Sequence, residues 1–331
     1  MRISHQPGRS ALALTLMGLL PASALSQITP DQANQIRNTL SERIEALTIL
    51  GGDFGLAGGT FRSTGRFTSS QSTDSTLGVT KLGGAGDIGD IKPLGSLPIG
   101  WQLRVQGNIG FLDATNTVHS PLLEGDINEF KTSAIGFGGG ARFWMNDQFS
   151  MAPTLMAMYG RTANSYTANS PFMQMNFDEA TRVGLIGWSV DTLTLRAALN
   201  FQYIVKWKRT VITLSADPTY FHTDSLHSTS TQISVNGDSG YLSGTVDVDV
   251  PMGLDLFGHE LRTGGYLRIS ELYGNLSSGL QMPRMNEIHG RVVLDFLNQL
   301  WKVQWLGIGV SYVWGSNING VTGGIDATFR F

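Results

Sequence analysis

The chain has 331 residues and a formal net charge of −3 at pH 7, with 23 basic and 26 acidic side chains. This mild acidic balance gives no basic surface for nucleic acid, so nucleic-acid binding is not expected. The absence of cysteine excludes disulfide bonds and thiolate metal sites, and a charged fraction of only 15% is well below the roughly 25% of ordinary soluble proteins.

Residues 1–26 have the layout of a secretory signal peptide. The first ten residues carry the two basic side chains Arg2 and Arg9. The apolar run ALALTLMGLL follows, and then the small residues of PASALS. The apolar run is too short to span a bilayer. We therefore predict export, cleavage after Ser26 or slightly earlier after Ala24, and a mature chain with 21 basic and 26 acidic residues.

Residues 27–50 are predicted to contain one helix, at about 30–48. Thr29 and Gln32 match a capping box, and Pro30 suits the first helical position. An apolar stripe at helical spacing follows, formed by Ala33, Ile36, Leu40, Ile44 and Leu47. Such a helix is marginal in water unless its stripe packs on something.

From residue 51 to 331 the hydrophobic period changes to two, which is typical of strands. The alternation is clearest at 101–111, 193–205, 241–252, 288–296 and 320–331. Segments of about ten residues match a tilted bilayer crossing, and aromatic residues such as Trp101, Tyr159, Trp188 and Tyr220 stand near segment ends, as at lipid–water interfaces. We predict an all-β fold: a transmembrane antiparallel β-barrel of about 12 strands, with 14 as the alternative, preceded by a short N-terminal α-helix.

Several segments leave the strand number open. Residues 76–86 are glycine-rich and weakly apolar, 172–188 reads as one strand, two strands or a bulged strand, and 228–237 reads as a short strand or a loop. Long polar connections are predicted as extracellular loops at 64–75, 114–128, 161–171, 223–239 and 273–285. The short segments MNDQ (145–148) and LNQL (297–300) are predicted as periplasmic turns.

The polar face of the strands carries charges of both signs, and this face is predicted to line the lumen. The lumen-facing charges are Arg104, Arg142, Arg196, Asp247, Asp249, Arg262, Arg268, Arg291, Asp295, Asp326 and Arg330. On the lipid face an Arg or Lys at the bilayer midplane would cost about 2–4 kcal/mol. Three interpretations remain: a charge network that fills a narrow lumen, a conducting pore, or an active site.

The chain ends in the alternating strand GVTGGIDATFRF, with Phe329 and Phe331 on its apolar face. A terminal aromatic residue on such a strand is the signal associated with the barrel-assembly machinery, which is therefore an expected partner. We predict that removal of Phe331 reduces assembly far more than stability. The measurement is outer-membrane yield and heat-modifiable migration of the truncated chain; a normal yield of folded barrel would show that Phe331 is no insertion signal.

Three stretches resemble the solitary outer-membrane autotransporter-type β-barrels: GGDFGLAGGTFR (51–62), LFGHELRTGGYL (256–267) and residues 300–331. The resemblance covers roughly 45–331 and implies a 12-stranded barrel preceded by a helix. It brings no catalytic residues. No large passenger fits before the barrel, so no adhesin, protease or toxin activity is implied.

In the autotransporter relatives the segment before the first strand runs through the lumen. If it does so here, charges on the helix would meet the charges of the wall; these are Arg37, Glu42, Arg43 and Glu45. The alternative is a periplasmic tail, which the apolar stripe slightly favours because a hydrated lumen offers it little to pack against.

Catalytic chemistry has few candidates. His222 lies near Asp224 and Ser225, which leaves an outer-membrane hydrolase with a rim site as a less favoured alternative. No histidines have metal-binding spacing, and Asp87 and Asp90 lack the further oxygen ligands that calcium requires. We predict a non-enzymatic barrel without cofactor or metal.

The predicted location is the outer membrane of a Gram-negative bacterium, reached through a cleaved N-terminal signal peptide. Lipid bilayer and lipopolysaccharide are the expected surroundings, a small diffusion pore is the main alternative function, and no oligomeric state is predicted.

Overall fold

One closed antiparallel barrel accounts for every strand in the part of the chain that the structure describes. The structure, a computed structural model, describes residues 30–53, 55–56, 59–63, 73–119, 123–300 and 303–329. The strands are β1 Gly59–Ser63, β2 Thr73–Pro93, β3 Gly100–Val118, β4 Ile127–Trp144, β5 Phe149–Thr167, β6 Ser189–Trp207, β7 Thr210–Ser228, β8 Asn236–Leu256, β9 His259–Gly274, β10 Arg284–Leu300, β11 Val303–Gly315 and β12 Ile318–Phe329. Sequence neighbours pair, and β1 closes on β12 with Thr60 opposite Val321. The prediction of an all-β barrel with 12 strands is confirmed, and the alternative of 14 is wrong.

Within the described residues three helices accompany the barrel: α1 Pro30–Gly52, α2 Pro171–Arg182 and α3 Asn275–Leu280. Helix α1 is the predicted N-terminal helix, and it runs four residues past the predicted end at 48. The predicted cap Thr29 and the signal peptide lie outside the described residues. Among the described helices, none combines the length and the apolar character needed to cross a membrane.

The two faces of the strands differ sharply in composition. On β3, Leu103, Ile109 and Phe111 are exposed on the outer face, whereas Gln106 and Asn108 are buried on the inner face. Neighbouring strands continue the outer apolar row, since Ile109 pairs with Ile135 and Leu82. An exposed apolar surface of this extent is typical of contact with lipid.

The barrel has one end with short turns and one end with longer loops, named here the turn end and the loop end. Residues 94–99, 145–148, 208–209 and 257–258 connect strands at the turn end; residues 168–188, 229–235 and 275–283 do so at the loop end. The predicted turn at 145–148 is present. The predicted turn at 297–300 is wrong, because these residues belong to β10.

The strands are longer than the predicted ten residues, and most of them have 16 to 21. The weak segment 76–86 lies within β2, and β3, β5 and β7 run into the predicted loops at 114–128, 161–171 and 223–239. Inner side chains there, such as Val118 and Tyr166, pack under the loops. The ladder therefore continues past the lipid-facing apolar zone, where the outer side chains are polar and the sequence looks like a loop.

Residues 172–188, predicted as strand, form α2 and a short loop instead. Ser170 caps α2 by accepting a hydrogen bond from the Met173 amide, and Pro171 occupies the first turn. Met173 and Ala180 are buried in a small apolar cluster at the loop end, with Val118, Leu123 and Ile186. Trp188, predicted to lie at the lipid interface, is buried inside the barrel with its ring 6.0 Å from that of Phe130.

Asp126 is buried and holds this loop region together. Its carboxylate accepts hydrogen bonds from the Tyr166 hydroxyl at 2.8 Å, the Asn169 amide at 2.7 Å, the Ser170 amide at 2.6 Å and the Ser170 hydroxyl at 2.8 Å. We expect Asp126→Ala to loosen α2, because each buried donor left without a partner costs about 1–3 kcal/mol.

The measurement for Asp126→Ala is limited proteolysis, with cleavage expected within 168–188 while the barrel retains heat-modifiable migration. Asp178→Ala is the matched control, since Asp178 is exposed on α2. Equal protection of both variants would contradict the anchoring role of Asp126.

Candidate functional site

Helix α1 lies inside the barrel rather than beside it. It packs against β3, β4, β5, β8 and α3, and residues 43–53 are all buried. Glu45 contacts Ser239 and Asn275 at the loop end, whereas Gly52 lies beside Ala134 near the middle of the barrel. The helix thus enters at the loop end and runs inward.

The slight preference of the sequence for an external tail is wrong. The apolar stripe packs on an apolar part of the wall in the loop-end half of the lumen. There Ile44 and Leu47 belong to a buried cluster with wall residues such as Leu112, Met158 and Phe221. The inner face of the wall is apolar at this level, so the helix buries its stripe inside the barrel.

Three glycines make room for the helix. A side chain at Gly110 would place its Cβ 1.9 Å from the carbonyl oxygen of Gly51, and one at Gly279 would come within 2.3 Å of the Glu42 carbonyl oxygen. A Cβ at Gly160 would lie 2.6 Å from the Thr48 methyl group. At these three glycines the strands and α3 approach α1 more closely than a side chain on the glycine would allow.

We expect Gly110→Ala to push the end of α1 off its seat, because overpacking a filled interior costs about 1–3 kcal/mol. The thermal midpoint of the heat-modifiable band should fall relative to the wild type. Gly324→Ala is the matched control, since nothing lies within 4 Å of a Cβ at Gly324. An unchanged midpoint for Gly110→Ala would contradict the close seating of the helix.

The contacts described for the helix charges differ from the predicted meeting with the inward charges of the wall. Glu45 accepts hydrogen bonds from the Ser239 hydroxyl at 2.5 Å and the Asn275 amide at 2.7 Å. The Arg43 guanidinium lies over the Phe130 ring at 5.7 Å. Arg37 bonds to Asn34 within the helix, and Glu42 meets Gly279 through its main chain. Apolar wall residues at this level explain the difference.

The charged contact between helix and wall lies at the helix C-terminus instead. Asp53 is fully buried, forms an ion pair with Arg196 at 3.0 Å and accepts a hydrogen bond from the Tyr241 hydroxyl at 2.8 Å. Lys81 donates to the carbonyl oxygens of Asp53 and Leu56, each at 2.8 Å, and Arg268 donates to that of Gly55 at 2.9 Å. Cations next to helix C-terminal carbonyls are stabilising. We call Asp53, Lys81, Arg196, Tyr241 and Arg268 the clasp.

Sequence reasoning identified Arg196 and Arg268 of the clasp but missed Asp53, Lys81 and Tyr241. Lys81 lies on the inner face of β2, where the alternation is weak. Tyr241 lies on the inner face of β8, opposite the outward Leu242 and Val246, and it carries no charge that would have singled it out. Asp53 comes directly after the helix. A charged residue at the end of a helix that runs into the lumen was the signal that could have identified it as a contact with the wall.

The other predicted lumen charges whose side chains the structure describes form ion pairs between the clasp and the turn end. Arg104 and Arg142 share Asp87, at 2.7 and 2.9 Å. Arg262 pairs with Asp249 at 2.5 Å and lies 3.9 Å from Asp295. Arg291 pairs with Asp247 at 2.7 Å and Arg268 with Glu287 at 3.5 Å. The side chains of Asp326 and Phe329, and all of Arg330 and Phe331, lie outside the described residues.

A polar chamber of about 310 Å³ lies next to the clasp on the side of the turn end. Charged and amide side chains line it, including Arg104, Gln106, Asn200, Asp217 and Asp247. Asp217 accepts a hydrogen bond from Asn200 at 2.5 Å. The turn-end half of the lumen is therefore polar, and the loop-end half is filled by α1.

His222 lies on the outer face of β7, away from the lumen. Its Nδ1 atom is 2.9 Å from an Asp238 carboxylate oxygen and its Nε2 atom is 3.1 Å from one of Asp224. Ser225 is occupied elsewhere, since its hydroxyl accepts from the Val235 amide. Both ring nitrogens face carboxylates, so the arrangement offers no nitrogen to a hydroxyl nucleophile. Within the described residues, no three His, Asp or Glu side chains are arranged to bind a metal ion.

Comparisons with known proteins agree with this architecture. A family model described as "Solitary outer membrane autotransporter beta-barrel domain" matches residues 96–322, more than half of the chain. A comparison with proteins of curated function finds no match.

Among solved structures, the transport unit of the autotransporter AIDA-I from Escherichia coli is similar, with 12% identity, 88% of this chain and 99% of that chain covered, and a TM-score of 0.52. The β domain of the Bordetella autotransporter Brka has 16% identity, coverage of 83% and 99%, and a TM-score of 0.48. The translocator domain of the autotransporter NalP from Neisseria meningitidis has 12% identity, coverage of 94% and 100%, and a TM-score of 0.47. At such identities the likeness to AIDA-I concerns the fold alone.

Proposed function

Because the chain belongs to the family of solitary outer-membrane autotransporter β-barrel domains, we propose that it is a non-enzymatic barrel whose lumen is closed by helix α1 and by charged side chains of the wall. The observation that carries this proposal is the burial of residues 43–53 inside the strand ring. The clasp supports it, because it ties the inner end of the helix to four different strands.

The same proposal includes the placement of the protein in the cell. Outer-membrane barrels have short periplasmic turns and longer extracellular loops, so the loop end faces the outside and the turn end faces the periplasm. The signal peptide at 1–26 is cleaved on export, and the barrel-assembly machinery inserts the chain. Since α1 enters at the loop end, its N-terminus points to the cell exterior.

Charge pairing supports a structural role for the wall residues. Arg104, Arg142, Arg262 and Arg291 each have a carboxylate within 3 Å. Buried charges held in such pairs are already compensated. We infer that they fill and rigidify the turn-end half of the lumen rather than bind a substrate, and that His222, on the outer face of β7, takes no part in hydrolysis.

A diffusion pore is the second candidate, and the polar chamber favours it. About 310 Å³ of space lined by charged and amide groups is the kind of surface that water and small solutes cross. In this case the helix would obstruct the loop-end half only in part.

Single-channel recording of the purified full chain in a planar bilayer separates the two candidates. Closure by α1 predicts silence or rare brief openings, with the folded barrel verified by heat-modifiable migration. A stable open current from folded protein would contradict closure and establish the pore.

A further inference from the structure

The outer face of β2 to β5 carries a groove at the edge of the lipid-facing zone, with a volume of about 470 Å³. We call it the outer groove; its outward side chains are Thr80, Phe111, Asp113, Lys131, Ser133 and Arg161. Gly78 and Ala163, which flank these residues in the ladder, give the groove its depth. This volume lies in the range of small-molecule sites.

The groove lies where the outer face changes from apolar to polar. Ile109, Ile135 and Tyr159 form one aligned apolar row across β3, β4 and β5. The next row toward the loop end is Phe111, Ser133 and Arg161, and Lys131 stands one row further. An outward cation is disfavoured at the bilayer midplane but tolerated near the interface, so we infer that this row lies at the level of the lipid head groups.

The two cations of the groove are only loosely paired. The Lys131 ammonium is 3.6 Å from Glu129, and the Arg161 guanidinium is 3.8 Å from Asp191. Charge-assisted hydrogen bonds are about 2.7–2.9 Å long. The side chains of Lys131 and Arg161 are 63% and 57% exposed, so both can turn toward an anion. By contrast, Arg284, an outward cation of β10, donates to Glu271 at 2.6 Å.

We propose that the outer groove binds a phosphorylated glycolipid head group of the outer leaflet, the lipid A part of lipopolysaccharide. Lys131, Arg161 and the Ser133 hydroxyl donate to the phosphate, while Phe111 contacts apolar parts of the lipid. The groove opens on the lipid-facing surface, so its ligand comes from the membrane rather than from the lumen. The proposal rests on the placement of the loop end outside the cell, and it does not depend on closure of the lumen.

The test is native mass spectrometry of the full chain in detergent with bisphosphorylated lipid A, dephosphorylated lipid A and inorganic phosphate as separate probes. The folded wild type should prefer the bisphosphorylated form by at least about tenfold, because Lys131 and Arg161 donate charge-assisted hydrogen bonds to phosphates that the dephosphorylated form lacks. K131Q/R161Q should lose this preference, and R284Q, the matched control from the other side of the barrel, should keep it. R161Q alone is the second variant and should lose part of the preference.

Equal binding of both lipid forms by the wild type would overturn the proposal, as would an unchanged preference in folded K131Q/R161Q. If inorganic phosphate binds with the same dependence on Lys131 and Arg161, the phosphate bound in the groove does not have to come from a lipid, and the assignment to lipid A would be overturned. A wild-type dimer that K131Q/R161Q dissociates would assign the groove to a second copy instead. Single-channel recordings measure closure of the lumen independently of lipid binding. A failure of the lipid A proposal is therefore distinguishable from a failure of the proposed function.

Discussion

Deletion of residues 30–52 is expected to turn a silent barrel into a conducting one. The strand ladder is closed without α1, since β1 pairs with β12, so the deletion variant should still fold. Water then replaces the helix between wall residues such as Leu112, Met158 and Phe221. The measurement is single-channel conductance in planar bilayers, with uptake of small solutes by cells as a second readout.

The matched control removes α2, residues 171–182, which lies in a separate apolar cluster above the barrel. This variant should stay silent because α1 keeps its seat. Silence of the folded α1 deletion would contradict the plug and would leave the charged wall as the barrier.

Asp53→Asn is expected to have the largest effect of any single substitution. Breaking one partner of a buried ion pair typically costs about 3–5 kcal/mol, because the other charge stays buried without compensation. In this case Arg196, with its side chain only 6% exposed, loses its carboxylate. The thermal midpoint of the folded band should fall, and brief channel openings should become frequent as the helix end leaves the clasp.

Asp255→Asn is the control, since Asp255 is exposed at the turn end of β8. The double variant Asp53→Asn/Arg196→Gln should be less destabilised than the sum of its single variants, because the two residues form one interaction. Additive effects, or a wild-type midpoint for Asp53→Asn, would contradict the clasp.

Much of this architecture follows from local sequence patterns. The period of two along 101–111 and 288–296 gives both the strands and their two faces, and the stripe through Leu40, Ile44 and Leu47 gives α1. These patterns succeed because one face of each element meets a uniform apolar environment, so local periodicity records burial directly.

Other features depend on contacts that are distant in sequence. The strand extensions at 114–118 and 161–167 have polar outer faces, and only their packing under the loops keeps them in the ladder. The segment 172–188 has apolar residues in positions that suit either period, and the cap by Ser170 together with the cluster around Met173 decides for a helix. The seat of α1 and the clasp join residues that are far apart in sequence: 213 positions separate Arg268 from Gly55, and 230 separate Asn275 from Glu45.

The lumen shows most clearly that contacts distant in sequence are not predicted by local patterns. Alternation places Arg196 and Arg268 on the polar face, but it does not pair them with Asp53 or with the carbonyl of Gly55. It also treats the inner face as uniformly polar, whereas Leu112, Ala134 and Met158 make half of it apolar. A helix with an apolar stripe can therefore pack against this half of the inner face.

The most direct measurement of the seat of α1 is a disulfide between the helix and the wall. The chain has no cysteine, and the hydroxyl oxygens of Thr48 and Thr162 are 3.5 Å apart, which suits the reach of a disulfide. Closure of the lumen by α1 predicts that Thr48→Cys/Thr162→Cys oxidises in intact cells to one intramolecular disulfide that maleimide cannot label, while Thr48→Cys/Thr80→Cys, with its second thiol on the outer face, does not. Free, maleimide-reactive thiols in the folded Thr48→Cys/Thr162→Cys variant would contradict a helix inside the barrel.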